Sequence, residues 1–148
     1  MSTAPYRLLT SLVAAASLAF ALAGPVSATG NSLTVTAANT GAADKVTMAF
    51  TGAVPGFTIT ADSNPPVGIG SGRDMPIGDS TFYVHLDCPM SCWSGQITNS
   101  VPFERLPQVR GALTQNFEGE LRVDIGLAHQ TSWSATTQGS SVIVTAPH

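Results

Sequence analysis

The segment Lys45-Val46-Thr47-Met48-Ala49-Phe50-Thr51 decides the fold class, because polar and apolar residues alternate along it. Alternation with a period of two is typical of a half-buried β-strand, since successive side chains of a strand point to opposite faces of the sheet. Its valine, methionine and phenylalanine would share the face that is turned to the core. No segment downstream of residue 30 shows the period of 3.6 that an amphipathic helix requires. The chain is therefore predicted to be all-β.

Similar alternation occurs on both sides of this strand, with turn residues between the segments. Further strands are predicted at residues 33–37, 57–60, 81–86, 108–113, 120–125, 131–136 and 141–145. In the strand at 81–86, Tyr83 and His85 are expected to point outward, opposite three apolar residues that point to the core. Two stretches rich in proline and glycine, Asp62–Gly78 and Asp87–Pro107, are predicted to be long loops. About eight short strands predict a single β-sandwich domain over residues 31–148.

Residues 1–28 have the features of a secretory signal peptide. A short segment that contains Arg7 precedes an apolar, helix-forming run from Leu8 to Ala23. A segment with small residues follows and ends at Ala28, after which cleavage is predicted. A retained membrane anchor is the alternative. A run of about 16 residues is short for the hydrocarbon core of a bilayer, and no cluster of Lys and Arg follows it. We therefore expect a secreted, extracytoplasmic domain.

The charge of the chain excludes two classes of partner. Six Lys and Arg stand against nine Asp and Glu, and the formal net charge is −3. A nucleic-acid-binding protein needs a basic face for the phosphates, and a polybasic membrane-surface protein needs the same for lipid headgroups. Neither class is predicted. Hydrophobic residues make up 43% of the chain, which is enough to build a core.

Cys88 and Cys92 are the two cysteines of the chain and are predicted to form a disulfide. An exported domain meets an oxidising environment, where a pair of thiols four residues apart closes a small loop. The alternative is a metal site in which His85 joins the two thiols, with Asp87 as the nearby candidate for a fourth ligand. Export favours the disulfide, so no metal and no cofactor is predicted.

Several short runs of the sequence match those of one known family. They are, in chain order, Ala43–Phe50, Val54–Ile59, Gly70–Arg73 with Pro76–Gly78, Asn116–Gly119 and Ile125–Leu127. In this order and spacing they resemble the AMIN-like domain of secreted and lipid-anchored bacterial envelope proteins, which is related to a module of periplasmic cell-wall amidases. The resemblance implies a β-sandwich, an extracytoplasmic location and attachment to peptidoglycan. The closing strand Ser141–Thr145 departs from it, because it lacks the family's Arg and Asp.

Aromatic residues outside the predicted core are the best candidates for a binding site, because sugars pack their apolar faces on aromatic rings. Trp93, in a loop, fits either such a site or the core, whereas Trp133 is assigned to the core. Tyr83 is the outward-facing aromatic residue of its strand. Two charged residues in the family-like loops, Arg73 and Glu118, complete the predicted binding set.

No motif frames a catalytic site. Glycoside hydrolysis needs two opposed carboxylates, but Glu118 and Glu120 are two residues apart and would share one side of a strand. No Gly-x-Ser-x-Gly sequence marks a nucleophilic serine. A hydrolase would need Glu118, Glu120, His85 or Asp87 to converge on a cleft. His85 is instead expected to be exposed.

Two other polar residues, Asp44 and His148, are expected to be solvated, at a strand end and at the mobile end of the chain. The leading hypothesis is therefore a non-catalytic envelope module that binds cell-wall glycan or an envelope protein. A small secreted hydrolase is the alternative from another class. A surface domain without any ligand is a third hypothesis, which the sequence does not distinguish from the first.

Overall fold

The protein consists of two β-sheets in the part of the chain that the structure, a computed structural model, describes, which is residues 30–98 and 106–148. The strands are β1 (Ser32–Asn39), β2 (Ala43–Phe50), β3 (Thr58–Asp62), β4 (Phe82–Cys88), β5 (Gln96–Ile97), β6 (Val109–Phe117), β7 (Glu120–Leu127), β8 (Ser134–Gln138) and β9 (Ser141–Pro147). One sheet has the order β5-β1-β2-β9-β8 and the other β3-β4-β7-β6. Neighbouring strands are antiparallel except for β5, which pairs with β1 in parallel. The predicted all-β class is confirmed.

The strands differ in detail from the predicted set. The short strand β5 lies inside the predicted loop Asp87–Pro107, and its two residues are too few to show alternation. The strand predicted at 131–136 begins only at Ser134, so Trp133 precedes it. Residues 30–98 and 106–148 contain no helix that is long and apolar enough to cross a membrane. The predicted signal peptide, residues 1–28, lies outside the described residues.

The inward-facing side chains of both sheets form one hydrophobic core. As the alternation predicts, Val46, Met48 and Phe50 of β2 are buried. The core residues contributed by the other central strands are Leu33, Val35, Val84, Leu86, Leu121, Val123, Ile125, Val142 and Val144. Because a single cluster joins residues from both sheets, the arrangement is sandwich-like.

The long loop between β3 and β4, residues 63–81, covers the outer face of the four-stranded sheet. Ile77 lies above two glycines, where a Cβ atom on Gly111 would come within 2.7 Å and one on Gly126 within 2.9 Å of its side chain. The side chain of Gln115 accepts a hydrogen bond from the backbone of Ile69 at 2.8 Å. The glycines thus leave room for the loop, which covers this part of the sheet.

The covering loop buries Tyr83, which was predicted to point outward and to belong to the binding set. Tyr83 does point away from the core, but it is only 3% exposed. Its hydroxyl donates a hydrogen bond to the backbone oxygen of Ser80 at 3.2 Å. A ring held beneath a loop in this way cannot serve as a platform for a sugar.

Cys88, at the end of β4, is paired with Cys92, and their Cα atoms are 5.7 Å apart. This separation lies within the range of 4.4–6.8 Å that disulfides use. His85 is an odd number of residues from Cys88 and therefore lies on the opposite face of β4. The metal site considered for these three residues is thus excluded by their placement.

Candidate functional site

The described surface includes the two open grooves that follow. The disulfide groove, of about 620 Å³, is lined by Asn31, Ala53, Val54, Pro55, Ser91, Cys92, Trp93, Ser94, Glu118 and Gly119. The sheet groove, of about 270 Å³, lies between the four-stranded sheet and the loop that covers it. Its lining residues are Thr60, Asp62, Asn64, Pro65, Pro66, Val67, His85, Asp87, Arg122 and Asp124.

Backbone strain is concentrated in the disulfide groove. In the described part of the chain, Ser91 and Glu118 are the non-glycine residues with a left-handed backbone, at φ values of 64° and 51°. Glu118 and Gly119 form the two-residue turn between β6 and β7, and both have positive φ. Such turns favour Asn or Gly at the first position, so a glutamate there costs about 1 kcal/mol or more.

Contacts between the two loops hold this backbone in place. A Cβ atom on Gly119 would lie 2.9 Å from the Cα atom of Ser91, so the turn and the disulfide loop touch through their main chains. The backbone N–H of Trp93 donates to the backbone oxygen of Gly119 at 3.1 Å. The groove is therefore shaped where the β6–β7 turn meets the disulfide loop.

Trp93 belongs to the core, which settles the question that the sequence left open. It is 5% exposed, and its ring meets that of Phe50 edge-on, with centroids 6.2 Å apart. Gly95 gives it room, since a Cβ atom there would lie 2.5 Å from the indole ring. Of the two alternatives, the core is the one that the structure shows, and the ring offers little exposed surface to a sugar. What the groove offers is polar groups on Ser91, Ser94 and Glu118.

The structure does not bring the whole predicted binding set together. Glu118 and the buried Trp93 share the disulfide groove, whereas Tyr83 lies under the loop of residues 63–81. Arg73 is exposed in that loop and lines neither groove. Trp133, assigned to the core, is partly buried and packs against it.

His85 is held between two carboxylates in the sheet groove. Its Nδ1 lies 2.7 Å from Oδ1 of Asp124 on β7, and its Nε2 lies 3.3 Å from Oδ1 of Asp62 on β3. The strand register places it directly opposite Asp124 and Thr60. The expectation of an exposed histidine is wrong, because only 13% of the side chain is exposed.

The surroundings of His85 favour its charged form. The hydrogen bond with Asp124 raises the pKa of His85, and burial opposes this effect only in part. The backbone N–H of Asn64 and the histidine both lower the pKa of Asp62, whereas burial raises the pKa of Asp124. An imidazolium ring satisfies both carboxylates, because each of its N–H groups then donates to an acceptor.

Arg122 lies next to this cluster and donates from each of its three guanidinium nitrogens. Its Nε donates to Asp87 at 2.8 Å, and its Nη2 donates to Glu120 at 2.9 Å. Its Nη1 donates to the backbone oxygen of Val67 at 2.9 Å. The guanidinium therefore joins β4 and β7 to the covering loop.

Asp44 and His148 form a third polar pair, in which Asp44 is buried and not solvated as predicted, whereas His148 is exposed. Oδ2 of Asp44 accepts hydrogen bonds from the backbone N–H groups of Gln108 and Val109 at 2.6 and 2.9 Å. Its Oδ1 lies 2.9 Å from Nε2 of His148. Burial raises the pKa of Asp44, but these hydrogen bonds outweigh it and lower the pKa overall. The signal was present in the sequence, because Asp44 shares the inward phase of Val46.

Of the four residues considered for a hydrolase, two share one groove and the other two do not join them there. His85 and Asp87 line the sheet groove, but Glu118 lines the disulfide groove and Glu120 binds Arg122. Comparisons with protein-family models, curated proteins and solved structures found no match to the chain. The resemblance to the AMIN-like domain stays a prediction.

Proposed function

We propose that the chain is an exported, non-catalytic β-sandwich module of the cell envelope that binds cell-wall glycan through the disulfide groove. One observation carries the proposal. The two non-glycine residues with left-handed backbone in the described part of the chain, Ser91 and Glu118, both line this groove. Strained residues persist where a structure must present particular groups, and they cluster at binding sites.

The side chain of Glu118 is the centre of the proposed site. An asparagine or glycine would fit the β6–β7 turn better, so the glutamate is unfavourable for folding at this position. It is exposed and lies at the edge of the groove. We infer that the carboxylate is kept for contact with a ligand.

The other lining residues fit a saccharide. Asn31, Ser91 and Ser94 provide hydroxyl and amide groups that exchange hydrogen bonds with sugar hydroxyls. Val54 and Pro55 provide an apolar wall for the C–H groups of a sugar ring. In this interpretation hydrogen bonds and an apolar wall replace the aromatic stacking considered from the sequence.

The same lining supports binding without hydrolysis. Glycosidases use two carboxylates on opposite sides of the scissile bond. Glu118 is the one carboxylate among the described residues that line this groove. In the sheet groove, Nε2 of His85 faces Asp62 and not a hydroxyl or thiol that it could activate.

Export is supported by the predicted signal peptide and by the pairing of Cys88 with Cys92. The attachment to peptidoglycan implied by the AMIN-like resemblance agrees with a glycan ligand. An envelope protein in place of glycan is the alternative form of the proposal.

Retention on purified peptidoglycan sacculi tests the proposal. We expect the folded protein to sediment with the sacculi and the denatured protein to remain in solution. The control variant Arg73→Ala changes an exposed residue outside both grooves and should be retained like the wild type. Glycan binding would be contradicted if the folded and the denatured protein sediment equally, or if neither sediments with the sacculi.

A further inference from the structure

Asp124 is a buried carboxylate with one oxygen unpartnered. Its side chain is 0% exposed, and Oδ1 is hydrogen bonded to His85. Its Oδ2 is buried and accepts no hydrogen bond from the described part of the chain. A buried acceptor left without a donor costs about 1–3 kcal/mol, and more when it is charged. Because Asp124 lines the sheet groove, a molecule in that groove can supply the missing donor.

No neighbouring cationic side chain donates a hydrogen bond to Oδ2 of Asp124. The Arg122 guanidinium directs its hydrogen bonds to Asp87, Glu120 and the backbone of Val67, and Oδ2 of Asp124 receives none from it. The imidazole of His85 reaches Oδ1 of Asp124 and not Oδ2. Oδ2 of Asp124 is therefore left without a donor from either of these neighbouring cations.

The charge of the sheet groove favours a cationic ligand. Three carboxylates, those of Asp62, Asp87 and Asp124, line it together with Arg122 and His85. The groove keeps an excess of negative charge even when His85 is protonated. Such a site attracts a cation and repels an anion, and a charged donor forms a stronger hydrogen bond than a neutral one.

The size and the apolar residues of the groove narrow the class of ligand. A volume of about 270 Å³ is close to the lower end of small-molecule sites, so the groove fits one small group. Pro65, Pro66 and Val67 of the covering loop add an apolar wall, in which Val67 is 38% exposed. A methylene chain would pack on this wall while its charged end reaches the carboxylates.

We propose that the sheet groove binds the primary ammonium end of an alkyl amine, such as a lysine-type side chain or a small diamine. The ammonium group donates to Oδ2 of Asp124 and is balanced by Asp62 and Asp87. The aliphatic stem lies against Pro66 and Val67. This site is separate from the disulfide groove and does not depend on the glycan binding proposed there.

An NMR titration of the ¹⁵N-labelled protein with n-butylammonium tests this proposal, in a phosphate buffer that contains no other amine. We expect saturable chemical-shift changes at the amides of His85, Asp87 and Arg122. The neutral analogue n-butanol has the same stem and should bind at least tenfold more weakly. Butyrate, which is anionic, should cause no saturable change.

The variant Asp124→Asn keeps the shape of the side chain and removes its charge. We expect it to weaken n-butylammonium binding at least tenfold, whereas Asp79→Asn should leave binding unchanged. Asp79 is a suitable control because it is 73% exposed and pairs with Arg110 outside the groove. If thermal melting shows Asp124→Asn to be unfolded, Asp87→Asn, at a half-exposed position, should weaken binding severalfold. Equal binding of amine and alcohol, absence of saturable shifts, or wild-type affinity in the folded variants would overturn the proposal.

Discussion

The two grooves are built by different means. The disulfide groove takes its shape from the backbone, through the left-handed conformations of Ser91 and Glu118 and the close contact of two loops. The sheet groove takes its character from side chains, because regular strands place His85 and Asp124 directly opposite each other. Changes to a turn should therefore damage the first groove, and changes to charge or pH should damage the second. Each of the following predictions tests this separation.

The largest effect is expected from Gly119→Ala. The new Cβ atom would lie 2.9 Å from the Cα atom of Ser91, at a residue whose φ is +78°. Overpacking and backbone strain together should lower the free energy of unfolding by about 2–4 kcal/mol, measured by urea denaturation.

The matched control for this variant is Gly139→Ala. Gly139 also has a positive φ, +58°, but no atom lies within 4 Å of the position of its Cβ. Its free energy of unfolding should fall only by the cost of the left-handed backbone, about 1 kcal/mol, because nothing is overpacked. Equal losses in the two variants would show that the contact between Gly119 and Ser91 does not matter.

A smaller loss is expected from Cys92→Ala. The disulfide joins residues only four positions apart, so it closes a short loop. Its removal should therefore lower the free energy of unfolding by no more than about 2 kcal/mol. Reduction of the wild type with dithiothreitol should lower its denaturation midpoint to that of the variant and leave the variant unchanged. Two free thiols in the exported protein, measured by alkylation and intact mass, would contradict the pairing.

The sheet groove should respond to pH where the disulfide groove does not. The pKa of His85 is raised above its ordinary value of 6.5, so the folded state holds the proton more tightly than the unfolded state. The stabilisation is complete below pH 6.5 and is lost as the pH rises through the folded-state pKa. The free energy of unfolding should therefore fall as the pH is raised from 6 towards 9.

The variant His85→Gln isolates this contribution, because glutamine keeps polar atoms but does not titrate. Its free energy of unfolding should depend less on pH between 6 and 9 than that of the wild type. His129→Gln is a control at an exposed histidine. A pH dependence that persists in His85→Gln and disappears in His129→Gln would contradict the assignment.

The alternation of residues predicted the strands and the core well, since burial of one face is a local property of the sequence. The alternation also places Asp44 inward, in phase with Val46, although we expected a charged residue at a strand end to be solvated. It could not show that a loop covers Tyr83, because a strand pattern gives the direction of a side chain and not what packs on it. The pairing of His85 with Asp124 joins residues 39 positions apart, and their register depends on turns between them.

The predicted binding set was less successful than the predicted strands. Glu118 could be found because a turn motif marked it, whereas the carboxylates of the sheet groove come from three strands and no local pattern unites them. Trp93 was ambiguous because a loop residue can pack into the core whenever a neighbouring glycine, here Gly95, leaves room for its ring.

The variant Glu118→Asn tests the central claim most directly, because it separates folding from binding at one residue. Asparagine suits the left-handed position before Gly119, so the free energy of unfolding should rise by about 0.5–1 kcal/mol. Removal of the carboxylate should at the same time lower retention on peptidoglycan sacculi at least severalfold. Measured on one preparation, a gain in stability with a loss of retention is the result we predict. Unchanged retention in the stabilised variant would contradict the claim that the strained glutamate is kept for binding.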